Sequence, residues 1–203
     1  MTDDSSAIVT EIKDAVAIVR LNKPAQRNPL SLSTLRELND NLLTLLPGEG
    51  IKAIILTGTS DVFASGADIR ELTHLDSTSA LEFARFGQSV FQTLADARQL
   101  TIAAINGYCI GGGLDLALAC DIRFASEKAT FSHPGARRGI ITGLGGTQRL
   151  PRILGRAKAL ELFATANPFS SSKAFELGLI SAIADPVLDY SLERARLAMA
   201  NSF

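Results

Sequence analysis

Short, uninterrupted runs of apolar residues alternate with longer amphipathic runs along this chain, and this alternation limits the folds open to it. Residues 53–57, 101–105 and 122–125 are almost entirely apolar, as expected for strands buried on both faces of a sheet. Residues 33–46 and 79–97 instead place apolar side chains at helical spacing. Strands that alternate with helices predict an α/β architecture in which helices cover a sheet.

The remaining segments extend this pattern at both ends. Residues 8–12 and 16–21 are β-rich runs that predict an N-terminal hairpin. Thr34 and Glu37 have the spacing of a capping box at the start of the first helix. The glycine-rich segment 133–155 is predicted to be irregular. Helical patterns resume afterwards, at 156–164, 172–177 and 187–200.

Composition bounds the class of protein. The 203 residues are 46% hydrophobic and 20% charged, which is typical of one compact domain over residues 1–203. The 20 basic and 21 acidic residues nearly cancel, so the charge excess of a nucleic-acid binder is missing. Cys109 and Cys120 lack the spacing of a metal site, and no apolar run is long enough for a membrane helix. We therefore expect a reduced, cytoplasmic protein without a metal or a membrane anchor.

Two glycine-interrupted loops each follow a predicted strand. They are VFASGADIREL, residues 62–72, and NGYCIGGGLDLALACD, residues 106–121. Glycine in the first turn of a helix costs roughly 0.5 to 1 kcal/mol, so three in a row need a reason. One reason is a tight packing turn between a strand and a helix. The other is a backbone that a ligand approaches, because two such loops can point N–H groups into one cleft as an oxyanion hole.

Four segments together carry a resemblance to a known family. FASGADIREL, AAINGYCIGGGLDLALACDIRFAS, GLGGTQRLPRILG and SSKAFELGLIS, in this order and spacing, resemble the enoyl-CoA hydratase/isomerase (crotonase) family over residues 8–200. The resemblance implies a crotonase-like spiral of ββα units and assembly into trimers or pairs of trimers. It also implies acyl-CoA thioester substrates, with coenzyme A as part of the substrate and no separate cofactor. Family members usually continue beyond the equivalent of this chain's end, so the C-terminal helical segment is expected to be shortened.

The resemblance also assigns roles to single residues. Ala67 and Gly112 would supply the two N–H groups that hold the thioester oxygen. The segment KPAQRN, residues 23–28, matches a loop that curls around coenzyme A, with Arg27 near its phosphates. The contacts to coenzyme A implied in this loop and in residues 64–69 are Ala25, Arg27, Ala64, Asp68 and Ile69.

The carboxylates depart from the pattern of the family. Typical hydratases carry two glutamates, and this chain has Asp115 at the position of the first and Gly135 at the position of the second. Asp115 lies three residues after Gly112 on one helix face, so its side chain is expected to reach the cavity above the oxyanion hole. Its alternative role is that of a first-turn acid that stabilises the helix dipole. His133, two residues before Gly135, is the other candidate acid or base, and its alternative role is structural.

One missing carboxylate changes the expected reaction. Water addition needs both a base and an acid, whereas a double-bond shift or a decarboxylation passes through an enolate with one proton-transfer group or none. The sequence therefore predicts an acyl-CoA enzyme of the lyase or isomerase type with Ala67, Gly112, Asp115 and His133 in its site. The alternative is a non-catalytic acyl-CoA-binding or assembly subunit with a degenerate site. Arg137 and Arg138 are either ligands for a substrate carboxylate or solvated side chains.

Overall fold

Strands and helices alternate throughout residues 6–201, which are the residues that the computed structural model describes. The strands are β1 (Ile8–Lys13), β2 (Val16–Leu21), β3 (Ala53–Thr57), β4 (Val62–Ala64), β5 (Leu100–Ile105), β6 (Tyr108–Ile110), β7 (Ile122–Ala125), β8 (Thr130–Ser132), β9 (Phe169–Ser170) and β10 (Ala182–Ile183). The helices are α1 (Leu32–Leu45), α2 (Ile69–Leu72), α3 (Ser77–Ala95), α4 (Gly112–Leu118), α5 (Gly146–Leu154), α6 (Arg156–Thr165), α7 (Ser171–Leu177) and α8 (Val187–Ala200). Short 3-10 turns span Pro24–Gln26 and Pro134–Arg138.

Two sheets organise these elements. The larger sheet has the order β1-β2-β3-β5-β7-β10 and is parallel except for the β1–β2 hairpin. The smaller sheet has the order β4-β6-β8-β9, with only β9 antiparallel to its neighbour. The successive pairs β3–β4, β5–β6 and β7–β8 each give one strand to each sheet before the chain becomes helical. The predicted α/β spiral of ββα units is thus confirmed.

The inner strands of the larger sheet, β2, β3, β5 and β7, are largely buried on both faces, as their apolar runs predict. Along β2, Val16 and Ile18 face the cluster covered by α8, while Ala17 and Val19 face the main core. The main core lies between the two sheets and the helices of the spiral. Every residue of β3 is buried, which accounts for its uninterrupted apolar sequence.

The first helix begins differently from the prediction. Ser31 is its N-cap, and the Ser31 side chain accepts a hydrogen bond from the Thr34 amide at 3.1 Å. The Thr34–Glu37 capping box is therefore wrong. The Glu37 carboxylate instead accepts hydrogen bonds from the Ala7 and Ile8 amides at 2.8 and 3.2 Å, and so fixes the start of β1.

The segment 133–155 is more regular than predicted. It contains the second 3-10 turn and all of α5, a helix that begins at Gly146 and includes Pro151. Glycine and proline both disfavour a helix, and proline also removes one helical hydrogen bond. Leu150 and Leu154 are nevertheless buried in the main core, so tertiary packing outweighs the local propensity.

The three consecutive glycines serve two structural needs at the start of α4. Gly111 is the N-cap residue and has a φ of 55°, a conformation that side chains disfavour. Gly113 faces β4, where an added Cβ would lie 2.3 Å from the Ala64 carbonyl oxygen. The packing-turn explanation is therefore confirmed for Gly113, because only a bare backbone permits this approach.

We predict that Gly113→Ala destabilises the protein by about 1 to 3 kcal/mol, as overpacked cores do. The new methyl group would press on backbone that the β4–β6 pairing holds, and this cost outweighs the gain of up to about 1 kcal/mol in helix propensity. Urea unfolding measures the difference. Gly50→Ala is the matched control, because nothing lies within 4 Å of the Cβ added there. Equal stability of the two variants would contradict the prediction.

Candidate active site

The two glycine loops that follow β4 and β6 lie directly against each other. The β4–β6 parallel pairing brings the ends of these strands to one edge of the smaller sheet. Gly66 has a φ of 87°, and a Cβ added there would lie 2.9 Å from the Gly112 amide nitrogen. The Gly111 amide donates a hydrogen bond to the Ser132 carbonyl at 2.8 Å, which joins the second loop to β8.

Two backbone amides, those of Ala67 and Gly112, lie close together in this contact. A Cβ added to Gly112 would lie 3.5 Å from the Ala67 nitrogen. Within residues 6–201, neither amide donates a hydrogen bond to another protein group. Both residues line one cavity of about 380 Å³, here called the site cavity. Its apolar lining includes Ile69, Leu72, Phe83, Ile140 and Leu144.

The C-terminal end of α4 is fixed by a buried cation. The Arg123 guanidinium donates hydrogen bonds to the Cys120 carbonyl at 2.6 Å and to the Leu179 carbonyl at 2.9 Å. Burial lowers the pKa of Arg123. Arg123 thereby satisfies carbonyls at the helix terminus, where a positive charge is favourable. The helix that carries Gly112 at one end is thus held at the other.

Asp115 lies one turn into α4 and is completely buried. Its Oδ1 is 3.0 Å from Nε2 of His133, and its Oδ2 accepts a hydrogen bond from the Thr142 hydroxyl. The expectation that the Asp115 side chain reaches the cavity is wrong. His133 and Thr142 line the site cavity, and Asp115 lies behind them.

Neighbouring residues leave little freedom around Asp115. A Cβ added to Gly146, at the start of α5, would lie 1.9 Å from Asp115 Oδ1. The Phe163 ring contacts the His133 ring edge-on, with 4.9 Å between their centroids. Burial lowers the pKa of Arg149, and the negative charge of Asp115 opposes this shift. Sequence patterns did not indicate the contacts of Thr142 and Gly146, because both residues lie in the segment predicted to be irregular.

Gly135 lines the site cavity at the position where the family pattern has its second carboxylate. Its carbonyl accepts a hydrogen bond from the Ile140 amide at 3.0 Å. A Cβ added to Gly135 would lie 2.4 Å from the Ile140 carbonyl oxygen, so any larger residue requires this turn to move. None of the described residues that line the cavity carries a carboxylate.

The two neighbouring arginines have different surroundings. Arg137 donates a hydrogen bond to the Asn167 side chain. Arg138 is exposed and lines the site cavity, and among residues 6–201 its side chain has no hydrogen-bond partner. Both arginines are exposed, as the solvated alternative expects, and Arg138 also borders the cavity, so binding of a substrate carboxylate stays open for it.

The loops expected to contact coenzyme A pack against each other. The Ser65 amide donates to the Arg27 carbonyl at 3.1 Å, and the Leu30 amide donates to the Gly66 carbonyl at 2.8 Å. The side chains of Ala25 and Arg27 are exposed on this surface.

The other three residues of this group differ in accessibility. Ile69 is 44% exposed and lines the site cavity. The Asp68 carboxylate caps α2 and pairs with Arg70 at 2.7 Å, and this pairing lowers the pKa of Asp68. Ala64 is fully buried, so its methyl group has no access to a ligand.

The two cysteines take no part in the site cavity. Both are buried and free, and burial raises the pKa of the Cys120 thiol to about 12. Within residues 6–201, no three His, Cys, Asp or Glu side chains are grouped closely enough to hold a metal ion. The same part of the chain contains no helix with the length and hydropathy needed to cross a membrane.

Comparison with known sequences identifies relatives of this chain. The family model described as "Enoyl-CoA hydratase/isomerase" matches residues 11–202. A crotonyl-CoA hydratase of Syntrophomonas wolfei is 37% identical over 180 residues, which are 88% of this chain and 69% of the relative. A short-chain-enoyl-CoA hydratase of Clostridium acetobutylicum is 36% identical over 180 residues, with the same two coverages.

Solved structures agree with the sequence comparison. Pseudomonas aeruginosa DspI superposes with a TM-score of 0.93 at 31% identity, covering 100% of this chain and 84% of that one. An enoyl-CoA hydratase from Bacillus anthracis also gives a TM-score of 0.93, at 32% identity and with 97% and 78% coverage. This chain therefore belongs to the enoyl-CoA hydratase/isomerase family and is an enzyme of the hydratase/isomerase type.

Proposed function

We propose that the site cavity binds an acyl-CoA thioester and stabilises its enolate through the amides of Ala67 and Gly112. The observation that carries this proposal is that these two unpaired amides, from two different loops, face the same cavity. When the α-carbon of a thioester loses a proton, negative charge develops on the carbonyl oxygen. Amide groups held in place before the reaction stabilise that charge without reorganisation, and one such donor is worth roughly 3 to 4 kcal/mol.

The groups around the cavity favour a double-bond shift over hydration. Water addition needs one group to deprotonate water and another to protonate the α-carbon. The described lining has no carboxylate, and Asp115 is linked to it only through His133 and Thr142. A double-bond shift needs a single group that takes up a proton and returns it. Decarboxylation is a second candidate, because the Arg138 guanidinium borders the cavity, has no hydrogen-bond partner among residues 6–201 and could bind a substrate carboxylate.

We infer three further properties from family membership. Coenzyme A enters as part of the substrate, held along the loops 23–28 and 64–69. The protein acts in the cytoplasm and assembles as a trimer or a pair of trimers. Sedimentation of the purified protein measures this assembly.

We expect Arg27→Gln to weaken acyl-CoA binding about threefold to fivefold. The variant removes one exposed cation near the proposed phosphates, and an exposed charge pair is worth up to about 1 kcal/mol. Titration calorimetry with a non-reactive acyl-CoA thioether measures the affinity. Arg98→Gln is the matched control, because Arg98 is exposed but precedes β5, at the opposite edge of the parallel sheet. Equal affinities of the two variants would show that the CoA phosphates do not lie near Arg27.

We predict that the protein isomerises a 3-enoyl-CoA at least about 100-fold more efficiently than it hydrates crotonyl-CoA. One missing acid or base costs hydration about a hundredfold to ten-thousandfold, whereas the double-bond shift does not need it. Both reactions are followed by the absorbance of the conjugated thioester. Asp115→Asn preserves the shape of the side chain while removing its charge, and it should lower isomerisation with acyl-CoA binding retained.

Three other outcomes separate the alternatives. Robust hydration that Asp115→Asn leaves undiminished would contradict the role of this carboxylate. Turnover of a malonyl-type thioester alone would favour decarboxylation. Tight acyl-CoA binding without turnover of any of these thioesters would favour the non-catalytic alternative.

A further inference from the structure

The His133 ring is hydrogen-bonded at only one of its two nitrogens. Nε2 is 3.0 Å from Asp115 Oδ1, whereas Nδ1 has no hydrogen-bond partner within residues 6–201. Nδ1 is also partly accessible to solvent. Among the described residues, Gln99 Oε1 is the only fully buried side-chain nitrogen or oxygen without a hydrogen-bond partner, so Nδ1, which has no partner either, is not fully buried. His133 lines the site cavity, and Nδ1 is its ring nitrogen without a hydrogen-bond partner among the described residues.

The partners of Asp115 decide which ring nitrogen carries the proton. An ionised carboxylate only accepts hydrogen bonds. Its Oδ2 accepts from the Thr142 hydroxyl, and its Oδ1 faces Nε2 of His133. Nε2 therefore carries the hydrogen in the neutral imidazole, which leaves the lone pair on Nδ1. This tautomer follows from the hydrogen-bond partners.

The His133 ring, its two neighbours Asp115 and Phe163, and the Asp115 partner Thr142 come from four parts of the chain. Asp115 comes from α4, His133 follows β8, Thr142 precedes α5, and Phe163 belongs to α6. Asp115 is 0% exposed and His133 is 6% exposed, so a buried charge and its partner are kept together without competing water. Such a group is positioned for proton transfer before a substrate binds.

We infer that His133 Nδ1 takes up and returns the substrate proton, and that Asp115 and Thr142 are positioning residues. This inference rests on the proposed function and names its substrate class, a 3-enoyl thioester. Nδ1 removes a proton from C2, and the electrons of that C–H bond move to the thioester oxygen between the Ala67 and Gly112 amides. The imidazolium then returns the proton to C4, and the double bond settles between C2 and C3. No water, metal or second substrate is consumed.

Other polar groups near the cavity are less suited to this step. Asp115 is fully buried and both of its oxygens face hydrogen-bond partners. The Thr142 hydroxyl donates its hydrogen to Asp115. The Arg138 guanidinium has only N–H donors and no lone pair to act as a base.

The decisive test is His133→Ala with imidazole added to the buffer. We expect the turnover rate with a 3-enoyl-CoA substrate to fall at least about 100-fold, with the affinity for a non-reactive acyl-CoA retained. Free imidazole should restore part of the lost rate by occupying the vacated space. A substrate deuterated at C2 should give, with the unmodified protein, a product that carries deuterium at C4. Deuterium transfer shows that a single base moves the proton, and rescue by imidazole assigns that base to His133, because a purely structural histidine would give no rescue.

Thr142 offers a matched pair of variants for the positioning role. Thr142→Val keeps the side-chain shape but loses the hydrogen bond to Asp115, and we expect the turnover rate to fall about 10-fold with KM unchanged. Thr142→Ser keeps the hydroxyl and should retain most of the activity. Added imidazole should help neither variant, because His133 is still present. Equal loss in both variants would contradict a role for the hydroxyl.

The outcomes separate this inference from the function on which it rests. If the unmodified protein isomerises 3-enoyl-CoA and His133→Ala does so equally well, the inference fails and the proposed function stands. If the unmodified protein binds acyl-CoA without any turnover, the proposed function itself fails. If His133→Ala does not fold, the activity of His133→Gln is measured instead. Glutamine keeps an N–H donor for Asp115 but has no basic nitrogen. An active His133→Gln, or a loss in His133→Ala that imidazole never relieves, would overturn the inference.

Discussion

The backbone contact between Gly66 and Gly112 is the constraint on which the rest of the site depends. It exists because β4 and β6 pair in parallel and end at the same edge of the smaller sheet. Gly66 and Gly111 adopt positive φ angles, and Gly113 leaves room for the Ala64 carbonyl. A side chain at Gly66 would press on the Gly112 amide, and one at Gly113 would press on the Ala64 carbonyl, so either would separate the two loops. The amides of Ala67 and Gly112 would then no longer face one cavity.

The direction of α4 follows from the same contact and explains the burial of Asp115. One helical turn beyond Gly112, this residue points into the space between α4 and α5, where the absence of a Cβ on Gly146 leaves room for its carboxylate. A buried charge without partners would cost several kcal/mol, and His133 and Thr142 supply those partners. The Asp115 carboxylate on α4 is thereby linked to the cavity through His133.

The elements that could be predicted from the sequence are those whose local pattern agrees with their burial. The strand at 53–57 is uninterrupted and apolar because both of its faces are covered, so its bounds agree with the prediction. The sequence does not predict helix α5, because Gly146 and Pro151 both disfavour a helix. The stabilisation from burying Leu150 and Leu154 exceeds that local cost, and the spacing of residues does not reveal this packing. Local propensity and tertiary contacts conflict there.

The residues of the site also divide into those whose contacts the sequence predicts and those whose contacts it does not. The two glycine loops could be expected to meet, since each follows a strand, whereas the choice of Ala67 and Gly112 within them is what the resemblance to the family implies. The partners of Asp115 could not, because His133 and Thr142 are 18 and 27 residues away along the chain and approach it only through the packing of β8 and α5. Helical spacing places Asp115 on the face of Gly112 but does not say which side chains stand between it and the cavity. The spacing therefore does not predict that Asp115 is set back from the cavity.

Polarisation of the thioester carbonyl by the Ala67 and Gly112 amides is the step that every proposed reaction of this site shares. The most direct measurement is the ¹³C NMR shift of a saturated acyl-CoA labelled at the thioester carbonyl, recorded free and bound to the unmodified protein. Two amide donors withdraw electron density from the carbonyl carbon, so a downfield shift on binding is predicted. A saturated complex whose carbonyl resonance does not move from its position in water would contradict this role of the two amides.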